Sequence, residues 1–410
     1  MNSLYNILTY IVAFHLKIIA KFNAKLQLGV SGRSTTFKIL QSNISAQDKV
    51  MWFHCASLGE YEQGLPVFEK LKTIYPNHKI VLSFFSPSGF EIRKNNPLTS
   101  IVVYLPLDTK RNAKTFLDLV HPDLVLFVKY EIWPNYLNAL KIRKIRTLLI
   151  SALFKEDQLF FKWYGALTRN SLSAFEHIFV QNKDSKKLLE SIDFKNVTVS
   201  GDTRFDRVSN QLNMDNTLEF IEQFKQNKLC IVAGSTWPED EKLFIDYINS
   251  ASEDLKFIIA PHNIKQNQIE YLKSSIQKKT VLFSEKEKIN LSSYQVFIID
   301  TIGILTKIYR YADIVYIGGA MGNTGLHNSL EPAAFGVPII VGQHFKSFPE
   351  AKQMVNLGGM YSISNQKEFK FILDMLVANT DKRMQSGKAN KEYVSKNRGA
   401  VVQIIDYIRI

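Results

Sequence analysis

The sequence predicts an α/β protein: two doubly wound, Rossmann-like domains preceded by a short apolar helix. Three observations carry that prediction. From Lys49 onward, short β-branched runs alternate with longer helical patterns. The alternation pauses over a polar, Asn/Gln-rich stretch at 206–228 and then starts again. Strand and helix repeated in this way give a parallel sheet with helices on both faces. The length, 410 residues, exceeds one compact core and suits two or three domains. The domain plan is therefore an N-terminal segment at 1–25, a first domain at 26–205, a linker at 206–228, a second domain at 229–398 and a final helix at 399–410.

Residues 4–20 (LYNILTYIVAFHLKIIA) are mostly apolar, and the basic residues follow rather than precede them. A secretory signal carries its positive charge ahead of the apolar run, so this order does not fit one. It fits a segment that spans or lies on a bilayer with its basic flank on the cytoplasmic side. The alternative is an amphipathic helix packed on the protein's own surface. The charge distribution belongs to the same region. The chain carries 51 Lys+Arg against 38 Asp+Glu, formally +13. No acidic residue precedes Asp48, whereas Lys17, Lys21, Lys25, Arg33 and Lys38 all do. Such a balance points to phosphate, polyanion or acidic-membrane partners.

In the first domain, strands are expected at 50–54, 79–85, 101–105, 124–128, 147–151, 177–180 and 197–199. Helices are expected between them at 61–73, 88–95, 113–120, 135–141, 160–174 and 184–191. The second domain reads as strands at 229–233, 256–260, 280–283, 296–299, 314–317 and 338–341, with helices such as 240–250 and 367–377. The last helix, 401–410, is apolar on one face and placed to pack back on the first domain. Two such domains imply a cleft, with ligands outside the carboxyl ends of the strands. Two cysteines, Cys55 and Cys230, provide neither a disulfide framework nor a four-cysteine zinc site. They read as buried reduced thiols.

The candidate chemistry lies where strands end. The first strand runs into Ser57-Leu58-Gly59-Glu60, which puts a carboxylate at a helix start. It can accept a proton from a hydroxyl, or simply complement the helix dipole. Ser86-Pro87-Ser88-Gly89 follows the second strand, to bind a phosphate or sugar or to cap the next helix. The fourth ends in Lys129-Tyr130-Glu131-Ile132-Trp133-Pro134-Asn135, with Lys129 and Glu131 at its mouth or paired with each other. In the second domain, Gly234-Ser235-Thr236 and Pro261-His262 close two strands. Glycine and hydroxyls before a helix suit an oxyanion. No Gly-Lys-Ser/Thr follows, so this is not a nucleoside-triphosphatase loop. The densest run is 318–336, with five glycines and Asn328-Ser329-Leu330-Glu331-Pro332, where Glu331-Pro332 is expected to open a helix. It lacks the G-x-G-x-x-G and the later acid of a dinucleotide fold. With the repeated α/β domain, it indicates a nucleotide-sugar site.

In these residues the sequence resembles the Kdo (3-deoxy-D-manno-octulosonic acid) transferases of Gram-negative bacteria, inverting glycosyltransferases of the GT-B fold. The likeness runs over nearly the whole chain. It rests on the N-terminal segment, Ser57–Glu60, Phe85-Ser86-Pro87, Glu131–Asn135, Ala233–Thr236, Ala260-Pro261-His262 and His327–Pro332. It implies metal-independent, cofactor-free transfer of Kdo from CMP-Kdo to a tetraacylated lipid A precursor in lipopolysaccharide synthesis, on the cytoplasmic face of the inner membrane. By resemblance the general base falls on Glu60, and a basic group near the transition state on Arg204. Glu131 carries over as a further catalytic residue. The CMP contacts fall on Pro261, His262, Ile302-Gly303-Ile304 and Asn328, Ser329, Leu330 and Glu331, with Ser235 and Thr236 beside the departing phosphate. Lys129 stands where the family commonly has an acid, Arg204 where many members have Lys, and His262 where many have Arg. Leu326 replaces a frequent second glycine. Competing readings are another GT-B nucleotide-sugar glycosyltransferase or an epimerase, or a membrane-tethered binding protein without catalysis. Nucleic acid is disfavoured, since no aromatic-basic strand motif or zinc spacing is present.

Overall fold

The computed structural model describes residues 2–99 and 101–409; Met1, Ser100 and Ile410, the last residue of the expected final helix, lie outside it. The chain forms two compact units, 1–207 with 398–410, and 208–397.

The first unit holds seven parallel strands: β1 Val50–Cys55, β2 Lys79–Phe84, β3 Ile101–Tyr104, β4 Leu124–Val128, β5 Arg146–Ala152, β6 His177–Val180 and β7 Val197–Val199. Their order is β3-β2-β1-β4-β5-β6-β7. All six residues of β1 are buried, as expected of a central strand covered on both faces. Alternate side chains feed different cores. Val50 and Trp52 join Phe116, Phe127 and Tyr136 on one face, and Met51 and Phe53 join Phe68 and Leu126 on the other. The chain order reverses between β1 and β4, where a doubly wound sheet opens a crevice at its carboxyl edge.

The final helix, Ala400–Arg409, belongs to this unit. Ile404, Ile405 and Ile408 pack into the Phe53 core, and Asp206 accepts the Gly399 and Ala400 N–H groups at its start. At the other terminus, helix Asn2–Ile19 keeps Leu4, Ile7, Leu8, Ile11, Phe14 and Ile18 exposed. Leu4–Phe22 is long and apolar enough to cross a membrane. A second helix, Ala24–Asn43, comes next and was not anticipated. Its Gly, Ser and Thr content is that of a weak helix former. Packing explains it: a Cβ at Gly32 would lie 2.3 Å from the Tyr104 ring, so only glycine admits that ring.

The second unit holds β8 Leu229–Thr236, β9 Leu255–Pro261, β10 Thr280–Leu282, β11 Val296–Ile298, β12 Ile314–Ile317, β13 Ile339–Gly342 and β14 Met360–Ile363. They are parallel in the order β10-β11-β9-β8-β12-β13-β14, and here the reversal falls between β8 and β12. The core is built from Ile231, Phe244, Phe257, Ile259, Tyr316 and Phe369.

Four expectations need correction. The stretch at 206–228 is not an irregular linker: it carries the end of helix Thr203–Gln211 and the whole of helix Glu219–Lys225. Phe205 and Val208 anchor the first and Ile221 and Phe224 the second, three apart in each pair, a spacing obscured by the polar composition around them. The expected helix at 160–174 is broken into Leu159–Phe161 and Ala166–Leu172, because a turn at Gly165 brings that residue against the Leu159 carbonyl. Strand β14 was missed, being a short edge strand with two half-buried positions. Helix Leu330–Phe335 opens at Leu330, so Pro332 is its third residue rather than its first.

Candidate functional site

In the first unit the switch point places Glu60 and Glu131 just beyond neighbouring strands. Glu60 sits in the first turn of helix Leu58–Ile74, directly after β1, and is largely buried. Its Oε2 accepts the Ser57 N–H at 2.9 Å and the Ser57 hydroxyl, so the side chain is held back against its own helix start. Its other oxygen, Oε1, lies 3.8 Å from Lys129 Nζ. Lys129, directly after β4, has φ +71°, in the left-handed region where a non-glycine residue is strained. One carboxylate oxygen is thus fixed by Ser57 and the other lies beside a cation.

Glu131 is tied to Trp133 of its own motif and to His54, which had not been singled out. Its Oε2 accepts the Trp133 indole N–H at 3.1 Å and lies 3.6 Å from His54 Nε2. The same indole N–H is 3.0 Å from His54 Nε2. His54 Nδ1 in turn meets Ser83 Oγ at 2.9 Å, and that hydroxyl accepts from Trp52 Nε1 at 2.8 Å. His54 is fully buried, so this chain runs from the sheet core to the Glu131 carboxylate. Asp108 is another unanticipated residue. It accepts the Asn135 and Tyr136 N–H groups at 3.0 Å each, capping helix Pro134–Ile142, and the Tyr5 hydroxyl at 2.7 Å. Neither residue gives a local signal: His54 reads as one more strand position, and Asp108 is 27 residues before its partner Asn135. Arg204 opens onto Asp202, with Nε and Nη2 both 2.8 Å from its Oδ2. The adjoining Thr203 hydroxyl donates to the Gln63 carbonyl, which fixes this segment on the helix that carries Glu60.

In the second unit the expected residues come from four separate segments and converge. The His262 N–H donates to the Thr236 carbonyl at 2.9 Å, joining the ends of β9 and β8. The His262 ring lies 4.7 Å from that of Trp237, nearly parallel, and 4.4 Å from that of His327. Trp237 Nε1 donates to His327 Nε2 at 3.1 Å. Burial, with His262 nearby, holds the His327 pKa down to about 4, and burial also lowers that of His262. Both rings are therefore neutral near pH 7. Glu331 joins the remaining two segments. It accepts Asn328 Nδ2 on Oε1 and the Thr306 hydroxyl on Oε2, each at 2.9 Å. Thr306 lies just past Ile302-Gly303-Ile304, where Ile302 is exposed and Gly303 has φ +97° with open space around it.

Several side chains in this set are already committed. Thr236 is buried and donates to Glu241 at 3.0 Å, so its hydroxyl is not turned to a ligand. The Trp237 N–H, the first helix-start donor after Ser235, is taken by Asp240 at 2.9 Å. At this helix start the Thr236 hydroxyl and the Trp237 N–H are therefore held by the helix's own acids. Ser329 and Leu330 are also buried, and the Leu330 N–H donates to Asn328 Oδ1 at 3.1 Å. Asp240 has the larger structural part. Fully buried, it also accepts the Gly319 N–H at 2.9 Å and the Tyr316 hydroxyl at 2.6 Å. This pins the glycine-rich loop after β12 to the helix after β8. Burial raises the pKa of both Asp240 and Glu241.

Comparison with known proteins bears on the family and the fold. The family Glycos_transf_N, described as 3-deoxy-D-manno-octulosonic-acid transferase, matches residues 31–207. The 3-deoxy-D-manno-octulosonic acid transferase of Haemophilus influenzae is 25% identical over 375 residues, 88% of this chain and 86% of that protein. That of Aquifex aeolicus is 27% identical over 329 residues, 78% and 83% of the two chains. Among solved structures, a UDP-GlcNAc 2-epimerase from Neisseria meningitidis aligns with a TM-score of 0.62 at 16% identity, over 88% of this chain and 99% of its own. That likeness is one of fold, the two-domain GT-B architecture. In its N-terminal domain and over most of its length, the chain is thus similar to the 3-deoxy-D-manno-octulosonic-acid transferases.

Proposed function

We propose that the protein transfers Kdo from CMP-Kdo to a tetraacylated lipid A precursor, with inversion at the anomeric carbon and without a metal, at the cytoplasmic face of the inner membrane. The observation that carries this reading is the setting of Glu60: a carboxylate fixed at a switch point by Ser57 with Lys129 beside its second oxygen. Glu60 Oε1 takes the proton of the acceptor sugar hydroxyl as that oxygen attacks the Kdo anomeric carbon. The bond between this carbon and the CMP phosphate oxygen breaks, and CMP departs with the electron pair. A phosphate leaving group is a weak base and needs no proton from a general acid. One carboxylate therefore suffices for proton transfer.

The donor side falls to the second unit, where His262, the Ile302–Ile304 loop and the Asn328–Glu331 segment supply neutral rings, an open glycine turn and amide donors for CMP. Of these, Ser329 contributes through its backbone, whereas the Leu330 N–H is held by Asn328 and leaves Leu330 a packing role. Arg204 is the cation expected in the first unit, and its pairing with Asp202 makes it an orienting charge rather than a free one. The apolar helix Asn2–Ile19 and the basic residues after it support a membrane location, where an acylated acceptor resides.

The test is direct. Full-length protein is incubated with CMP-Kdo and tetraacylated lipid A precursor, and the lipid product is weighed by mass spectrometry. A mass gain of one or more Kdo units supports the reading and counts the transfers. No gain, together with thermal stabilisation by UDP and none by CMP, would overturn it in favour of a different nucleotide sugar.

A further inference from the structure

Beside the Glu60 turn, the first unit contains a cavity of about 220 Å³ that the reaction as described does not use. Its walls are Leu16 from the N-terminal helix, Leu26 and Val30 from the next helix, Phe85 and Pro87 from the loop after β2, and Leu107. None of these side chains is fully buried, so the cavity presents a continuous apolar lining to whatever enters it. Two cations complete it. Lys25 stands exposed at the wall. Arg33 lies inside, with Nε on the Leu105 carbonyl at 3.0 Å, Nη1 on that of Gly29 at 2.9 Å and Nη2 on that of Phe85 at 2.5 Å. Its guanidinium also covers the Phe85 ring at 4.6 Å. No carboxylate is paired with Arg33 among the described residues. A half-buried cation held by carbonyls and an aromatic face, without an acid, is a charge left for an anion to balance.

Position narrows the occupant. The Phe85 and Ser86 N–H groups donate to the Cys55 and Ala56 carbonyls at 3.3 and 2.7 Å, so the cavity wall is fastened to the turn that leads to Glu60. On its other side, Phe85 packs on Trp133 with ring centroids 4.7 Å apart, and Trp133 holds Glu131. At the opposite edge, Leu16 is continuous with the exposed apolar surface of helix Asn2–Ile19. The cavity thus runs from an apolar, membrane-suited helix to the loop flanking the candidate base. An occupant needs a long apolar part, an anionic group close to it, and a reacting head at Glu60.

We propose that this cavity receives one acyl chain of the phosphorylated lipid acceptor, with Lys25 and Arg33 balancing the charge of its phosphate. The proposal rests on the lipid-acceptor reading above and adds what that reading lacks, a place that measures the acceptor's chain. Seating one chain here fixes the sugar head against the Phe85–Ser86 loop and so presents its hydroxyl to Glu60.

The experiment uses the full-length protein in detergent micelles with a lipid A precursor carrying a diazirine in one acyl chain. After irradiation, adducts are expected in peptides covering residues 26–30 and 85–87, competed by unlabelled acceptor but not by phosphatidylglycerol at the same mole fraction. Adducts confined to helix Asn2–Ile19, or equal competition by phosphatidylglycerol, would overturn the proposal, the latter by making the occupant a bulk lipid. As a second reading, Leu26→Trp fills the cavity from an exposed helix. It should raise KM for the acylated acceptor about tenfold, the cost of displacing a few methylenes, and leave kcat and KM for CMP-Kdo within about twofold. An unchanged acceptor KM, or an equal loss towards both substrates, counts against it. The two proposals separate cleanly: labelling at the cavity without Kdo transfer removes the assigned reaction, and normal transfer with labelling elsewhere removes only the cavity.

Discussion

The two sheets reverse their order at equivalent places, and each has a non-glycine residue with positive φ at the end of a central strand. Lys129 has φ +71° directly after β4, and Ser235 has φ +55° near the end of β8. Beyond these residues the two switch points differ. The first offers ionisable side chains with oxygens left to act, Glu60 beside Lys129 and Glu131 beside His54. The second offers neutral rings, glycine turns and amides, and its carboxylates face inward: Asp240 fixes a loop, Glu241 holds Thr236 and Glu331 ties Asn328 to Thr306. Proton transfer requires a side chain that changes charge, whereas holding a nucleotide requires shape and donors that do not. On the function proposed above, the same fold serves both because its strands end in different residues.

The sharpest test of the division is Glu60→Gln. The amide oxygen can still accept the Ser57 N–H, so the helix start persists, but the group no longer takes a proton. Steady-state assays should show kcat lower by about 10²–10⁴-fold, the usual contribution of a general base, with CMP-Kdo binding unchanged. Near-normal turnover in the folded variant would remove Glu60 from the role and dissolve the contrast. On the other side, Asp240→Ala leaves the Trp237 and Gly319 N–H groups and the Tyr316 hydroxyl without their acceptor. Chemical unfolding should report a loss of about 2–4 kcal/mol in the second unit. Asp240→Asn should recover most of it, since its oxygen can serve the two N–H groups while its NH₂ donates to the tyrosine. If Asp240→Asn instead matched Asp240→Ala in stability but abolished turnover, Asp240 would be reactive and the second site would not be the neutral one.

A smaller effect is expected at Gly319, with φ +94° and room for no Cβ: one would lie 2.1 Å from the Gly325 carbonyl oxygen. Gly319→Ala should cost about 1–3 kcal/mol of backbone strain and raise KM for CMP-Kdo more than it lowers kcat. A purely kcat effect would mean that the loop acts in the chemical step rather than in binding.

These residues also show what the sequence discloses. Strand cores such as VMWFHC and LVLFV are legible because burial on both faces demands unbroken apolar runs. Glu60, Glu131 and the glycine loop have legible positions because polar and glycine residues directly after an apolar strand mark its carboxyl end. His54 and Asp108 are not, because their meaning depends on partners brought to them by the sheet, Ser83 and Trp133 for one and Asn135 for the other. Thr236 misleads for the same reason: hydroxyl identity is visible in the sequence, but its commitment to Glu241 is not. Helix Ala24–Asn43 escapes notice because its stability comes from contact with Tyr104 and its neighbours rather than from its own propensity.

The subtlest difference between the two switch points lies in how the second keeps its rings neutral, and His327 is where it can be measured. Trp237 donates to His327 Nε2, so that nitrogen must carry no proton, and burial with His262 alongside opposes protonation further. The folded-state pKa is about 4, against about 6.5 for an unfolded histidine. Between these values the unfolded chain binds the extra proton, so stability rises with pH across the window and is lost as pH falls from about 6.5 through about 4. His327→Gln keeps an acceptor for Trp237 but cannot titrate. Urea unfolding of the two proteins from pH 7 to 4 should therefore converge at the acidic end, because the wild type loses more of its stability on the way down. Parallel curves would mean that His327 is protonated without penalty, and that the second switch point, like the first, holds a group ready to carry charge.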